Sequence, residues 1–357
     1  MDARFPAAPR RGRILPAALV VLVAIVVGAC ARPAAAPNTV PATPSASAPA
    51  SSAPADSPSP SLAAAFPVTV TDDEGTPVEL AAEPRKVVSL TPAATETLFA
   101  LGLGDRVVGK VEDFSVYPPE AASVADVAKF GSVDVERIVG LDPDLVIAGG
   151  SNFNPPESIQ QLRSLGVPTV VLFAPDVATA LEDIALIGTA TGTADEAAAI
   201  NADIQAAFDE VTSATAGVPA RRVFYELDAS SGFFGPAPDY FGTEMIKVAG
   251  GDPLTSGTPG VYQIEAEQIV DFDPEVILLG DAAYGVTVDQ VAERPGWDTL
   301  SAVTAGAIRP IDDVIVTRPG PRLADGIRAL AVAIHPELEL TGASPAASAP
   351  ESASTAP

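Results

Sequence analysis

Two glutamates stand at the same place in two copies of one short unit. Glu136 lies in VERIVGLDPDLVIAGG (135–150) and Glu267 in AEQIVDFDPEVILLGD (266–281), 131 residues further on. In both copies Ile-Val follows, Asp-Pro stands six residues after the Glu, and an apolar run ends in Gly. Acids so placed could serve as a carboxylate pair in hydrolysis, or could grip a basic partner. Each also lies where the first turn of a helix favours negative charge, so structure alone accounts for either one singly. Two acids at equivalent corners of two similar lobes suit a two-fold partner carrying basic residues.

The other reactive side chains exclude more than they offer. The chain has one Cys, Cys30, and one His, His335. No intrachain disulfide is possible, and Ser-His or Cys-His catalysis is hard to build. No G-x-S-x-G and no phosphate-binding glycine loop is present. Zinc or manganese capture by several histidines fails on the count. An axial His or Met for heme could come only from His335, after the last helix and remote from the loops, or from Met245 inside a helix. The formal charge of −26 speaks against nucleic acid. No catalytic residue, metal site or resident cofactor is assigned. A carboxylate-based hydrolase and an adhesion or signalling module stay as remote alternatives.

The elements that must position these residues follow from the hydrophobic pattern. Residues 66–80 alternate around Asp73-Glu74-Gly75 as a hairpin. Val87 to Leu90 reads as a buried strand, with Thr91 capping a helix that has Pro92 at its first position. Short apolar runs then alternate with helices, the pattern of a parallel α/β sheet. Ser132 is expected to cap the helix of Glu136, with Ile138, Val139, Ile269 and Val270 as core. Residues 177–214 hold no strand and read as one or two long helices, with Thr193 and Glu196 at capping-box spacing. From 221 the α/β pattern restarts.

The fold class expected is therefore α/β: two α/β lobes joined by a long helical segment. The lobes are placed at 66–175 and 216–340, with the connecting helix at 176–215. Residues 1–30 read as an export signal, with Arg4, Arg10, Arg11 and Arg13 before a short apolar stretch ending Val-Gly-Ala-Cys30. Residues 31–65 and 341–357 are Ala/Pro/Ser/Thr-rich, a tether and a tail that cannot bury a core.

Ligands of open α/β sheets sit beyond the carboxyl ends of the strands. The loops expected there hold most of the few aromatic residues: Phe114, Tyr117, Phe130, Phe153, Phe233, Phe234, Tyr240, Tyr262 and Tyr284. With Ser89, Thr91 and Arg318 they form the candidate ligand-binding set. Such a set is aromatic and weakly charged, which suits a large amphipathic or uncharged small molecule.

RKVVSLTPAATETLFALG, YPPEA, FGSVDVERIVGLDPDLVIAGG, LRSLGVPTVVL, AGGDPL, IEAEQIVDFDPEVILLGD and TRPGPRLADGIRALAVAIHPEL occur in this order over roughly 84–338. The set resembles the iron-siderophore/cobalamin class of ABC-transporter substrate-binding lipoproteins. The resemblance implies two α/β lobes joined by a long rigid helix with a ligand cleft between them, small lobe movements, and one Glu per lobe (Glu136, Glu267) pairing with Arg-bearing loops of a permease dimer. It implies a lipid anchor at Cys30, the extracytoplasmic face of a cell membrane, and action as a monomer. The later segments look most like cobalamin-binding members, so a corrinoid is the expected ligand, with a neutral or hydroxamate ferric siderophore as the alternative and heme less favoured. Where some cobalamin binders carry a tryptophan before the second-lobe Glu, this chain has Val261-Tyr262.

Overall fold

A computed structural model describes residues 66–341. The export signal, Cys30, the tether to residue 65 and the tail from 342 lie outside the described residues. The first lobe opens with the expected hairpin, β1 (Val68–Thr71) and β2 (Pro77–Leu80), closed at Asp72, whose Oδ1 accepts Glu74 and Thr76 N–H. Then follow β3 (Val87–Ser89), α1 (Pro92–Ala100), β4 (Val107–Val111), β5 (Asp126–Lys129), β6 (Ser132–Val133), α2 (Val135–Gly140), β7 (Leu145–Gly149), α3 (Pro156–Ser164) and β8 (Thr169–Leu172). These make a six-stranded sheet in the order β6-β5-β4-β3-β7-β8, parallel except for β5–β6.

The connector differs from a single rod. It is two helices, α4 (Val177–Thr191) and the 22-residue α5 (Ala194–Thr215). Gly192 takes the left-handed conformation (φ 78°) that a side chain resists, and so ends α4. The two helices then pack closely: a Cβ on Gly188 would stand 2.5 Å from the Ala197 Cβ. Thr193 does not close the expected capping box, because its hydroxyl bonds Thr191 Oγ1 instead.

The second lobe comprises β9 (Arg221–Glu226), β10 (Phe233–Phe234), α6 (Phe241–Val248), β11 (Gly251–Pro253), β12 (Gln263–Ile264), α7 (Ala266–Phe272), β13 (Val276–Leu279), α8 (Val288–Ala292), α9 (Ser301–Thr304), β14 (Ile308–Pro310), α10 (Asp313–Thr317) and α11 (Leu323–Ile334). Its sheet is wholly parallel, in the order β11-β9-β13-β14. His335 ends α11 and is buried, with Nε2 3.0 Å from the Gly250 carbonyl oxygen and Nδ1 3.3 Å from Glu337 Oε1, so it serves the cap and not the surface.

Leu98 of α1, Ile184 of α4, Ile204 of α5, Val223 of β9 and Leu330 of α11 belong to one buried cluster. One apolar layer thus runs through the connector into both lobes. The outer face of each sheet has its own core, around Ile138 and Leu162 in the first lobe and around Ile269 and Trp297 in the second. A shared, close-packed layer resists large lobe rotation.

Candidate functional site

The repeat builds two matched corners. Glu136 and Glu267 are each the second residue of their helix, α2 and α7, and both are exposed. Ile138 and Ile269 are buried as expected. Val139 and Val270 are not: they are 39% and 41% exposed, because the next helical position turns outward, leaving a small apolar patch near each acid. Ser132 lies in β6, and Asp134 caps α2 through Oδ1 to the Arg137 N–H at 3.0 Å. The Asp of each Asp-Pro is left-handed, Asp142 at φ 53° and Asp273 at φ 48°.

The next acid of each copy locks its corner to the start of a strand in its lobe's sheet, Lys86 just before β3 and Arg222 in β9. Asp144 Oδ2 accepts the Lys86 N–H at 2.9 Å, and Glu275 Oε2 accepts the Arg222 N–H at 3.0 Å. The side chains of those two cations return to the helix ends. Lys86 Nζ donates to the Leu141 carbonyl and Arg222 Nε to the Asp273 carbonyl. Cations there complement the helix dipole.

At the lobe junction the structure gathers Phe114, Tyr117, Tyr284 and Arg318. Phe114 of the first lobe, 75% exposed, meets Tyr284 of the second, 62% exposed, with ring centroids 5.8 Å apart. Arg318 was expected to offer its charge to a ligand, but it is engaged within the protein. Its Nη1 donates to Glu96 Oε1 (2.8 Å) and Asp113 Oδ2 (2.9 Å), and its Nη2 to Asp113 Oδ1 (2.7 Å). Arg322 donates through Nε and Nη2 to Glu96 at 2.8 and 2.7 Å and lies 4.0 Å over the Tyr117 ring. Two cations and two acids thus tie α1 and the β4 loop to the α10–α11 segment.

The remaining candidates divide. Phe130 and Phe153 form an exposed edge-on pair at 5.9 Å in the first lobe. Half-buried Tyr240 and exposed Tyr262 form an edge-on pair at 5.7 Å in the second. Phe233 packs within its own lobe, 5.3 Å from buried Trp297 and under Arg294, with Phe234 half-buried beside it in β10. Ser89 is fully buried and its Oγ bonds Thr95 Oγ1 at 2.6 Å, while Thr91 Oγ1 caps α1 at the Ala94 N–H. Both serve the β3–α1 turn, and the hydroxyls are thereby taken.

A cavity of about 410 Å³ lies at the carboxyl ends of β9 and β13, lined by Leu227, Asp228, Asp281, Tyr284, Gln290 and Arg294 among others. Next to it Glu226, the fully buried last residue of β9, accepts Arg294 Nη1 and Nη2 at 2.5 and 2.7 Å. Asp281 is 4% exposed, and neither carboxyl oxygen finds a donor. Burial, then the facing Glu226 charge, pushes its carboxyl up to about 7. Tyr284 and Tyr262 are pushed up too, first by burial, then by Asp313 and Asp239 respectively. Sequence reasoning missed Glu96, Asp113, Glu226, Asp281 and Arg294, and also Phe173, an exposed aromatic just beyond β8. The available signal was an acid directly after an apolar strand run, in VFYE and VILLGD.

Among the described residues no group of three or more His, Cys, Asp and Glu is placed to hold a metal, and no helix is long and apolar enough to cross a membrane. Residues 87–314 match the model of the family described as periplasmic binding protein. The chain is 32% identical over 277 residues to the uncharacterized ABC transporter substrate-binding lipoprotein YvrC of Bacillus subtilis, covering 76% of this chain and 87% of that one. It is 33% identical over 288 residues to a protein of Halobacterium salinarum named cobalamin-binding, covering 76% and 75%. Among solved structures, the periplasmic heme-binding protein RhuT of Roseiflexus sp. RS-1 in its apo form superposes with a TM-score of 0.62 at 25% identity, over 71% of this chain and 98% of that one.

Proposed function

The chain belongs to the periplasmic binding protein family, and from that premise we propose that it captures a corrinoid between its lobes and delivers it to the permease of an ABC importer. It is a solute-binding transport protein of the cobalamin, iron and heme class, acting outside the cytoplasm, and not an enzyme. The observation that carries the corrinoid reading is the 33% identity, over 288 residues, to the Halobacterium relative named for cobalamin.

The cleft chemistry supports the same reading. Its aromatic rings are exposed, and the two junction arginines are already neutralised by Glu96 and Asp113. The second-lobe cavity has an acidic floor. An uncharged amphipathic chelate fits this better than an anionic catecholate or a propionate-bearing heme. Heme is the second reading, favoured by the Roseiflexus neighbour. A tyrosinate ligand to its iron would need a phenol that ionises readily, and Tyr262 and Tyr284 are shifted the other way. A neutral ferric hydroxamate would use the same aromatic surfaces.

In this mechanism Cys30 carries the lipid anchor and the protein works as a monomer. The ligand is cargo, and the protein needs no cofactor of its own. The loaded lobes present Glu136 and Glu267, each beside an exposed valine, to Arg-bearing loops of a two-fold permease. The double variant Glu136→Lys/Glu267→Lys is expected to abolish uptake of labelled cyanocobalamin by cells while leaving its affinity for the purified protein within about twofold, because exposed charges far from a ligand are screened. A collapse in affinity, or undiminished uptake, would contradict the docking role.

A further inference from the structure

We propose that Asp281 sets the ligand specificity of the second lobe by bonding a primary carboxamide on the rim of the ligand. This rests on the cleft being the ligand site of the proposed function.

Buried carboxyl groups almost always find donors. Around Asp281 the other carboxyl groups do: fully buried Glu226 holds Arg294 at both oxygens, half-buried Asp313 takes the Tyr225 hydroxyl, and even exposed Asp228 takes the Ser230 N–H at 2.8 Å and its hydroxyl at 3.0 Å. Asp281 alone has two buried oxygens with no N–H or O–H donor to either; it faces the Glu226 carboxyl, and it lines the cavity. Arg294 is not free to turn to it. Its guanidinium is fixed on Glu226 and lies 5.2 and 4.7 Å over the rings of Phe233 and Trp297. Inside the protein Asp281 meets only the Glu226 carboxyl, to which it can bond only while protonated, so a donor for its outer oxygen is sought from a guest in the cavity.

Three chemical constraints narrow the guest. Carboxylate and catecholate groups are disfavoured, because Asp228 and Asp281 line the cavity and the lining cation Arg294 is held on Glu226. The group must donate N–H or O–H into an apolar-walled space with Tyr284 at its edge. Because Asp281 is held near the midpoint of its titration at neutral pH, it can offer both a proton and an acceptor oxygen. A primary carboxamide presents the matching pair, an NH₂ and a carbonyl, and forms a two-bond ring with a protonated acid.

The test uses cyanocobalamin and its monocarboxylic acids, in which one peripheral amide has been hydrolysed, titrated calorimetrically into the purified protein and its variants. The wild type is expected to prefer cyanocobalamin about tenfold or more over at least one positional isomer of the acid, the cost of an unmet buried partner. Asp281→Ala is expected to lose about tenfold in affinity for cyanocobalamin. Asp281→Asn keeps one donor and one acceptor, so it should bind cyanocobalamin within about threefold of wild type and tolerate the acid isomer better. Thermal melts at pH 7.5 control for folding, since removing an unpartnered buried carboxyl should not lower stability. Wild-type binding with the same amide-to-acid ratio in all three proteins would overturn the role of Asp281 alone. No cyanocobalamin binding by the wild type would overturn the corrinoid reading and this inference together.

Discussion

At the residue scale the informative groups are acids, and their meaning depends on burial. Glu136 and Glu267 were legible because a repeat needs no structure to be seen, and their exposure in matching first turns agrees with a surface role. Asp144 and Glu275 belong to the same repeat but are structural, since each accepts a backbone N–H at the start of a strand, Lys86 before β3 and Arg222 in β9. Sequence could not separate the two kinds, because an acid after Asp-Pro looks the same whether it meets solvent or a neighbouring backbone. Asp183, on the buried side of α4, is a third kind. Its Oδ1 has no donor, and burial, with Asp73 and Glu182 nearby, pushes its carboxyl up to about 8. An unfolded Asp titrates near 3.8, so between those values the folded chain holds a proton that the unfolded chain has released. The associated stability is fully present below about pH 4 and is lost as pH rises toward 8. Asp183→Asn should therefore melt higher than wild type at pH 8.5, gaining about 1–3 kcal/mol, and show little gain at pH 4.5. Equal gains at both pH values, or none, would count against the raised Asp183 carboxyl.

At the element scale the α/β alternation was readable because short apolar runs and capped helices leave a clear pattern. The break in the connector was not. Gly192 and the close approach of Gly188 to Ala197 decide it, and that approach is tertiary. The same limit hid the junction clamp. Glu96, Asp113, Arg318 and Arg322 are widely separated in sequence, and only the packing of α1 against the α10–α11 segment brings them together. This turns Arg318 from a free cation into a tie between lobes. Removing one partner of a buried ion cluster leaves uncompensated charge. Arg318→Ala should lower stability in urea by about 3–5 kcal/mol. A change below about 0.5 kcal/mol would place the pair with ordinary surface ion pairs, which contribute little.

At the scale of the whole molecule, one buried layer through α1, α4, α5 and α11 makes the lobes a single packed body. The cleft is therefore largely preformed, and affinity depends on what its walls offer to a ligand. Those walls are exposed rings at the junction and, in the second lobe, a cavity floored by acids. The corresponding claim is that this protein binds an uncharged corrinoid and not an anionic chelate. The measurement that tests it most directly is calorimetric titration of the purified protein with cyanocobalamin, with hemin and a ferric hydroxamate in parallel. The account predicts a single site for cyanocobalamin with submicromolar affinity, about −8 kcal/mol or stronger, and much weaker binding of the other two. Tight binding of hemin or the ferric hydroxamate with none of cyanocobalamin would contradict it.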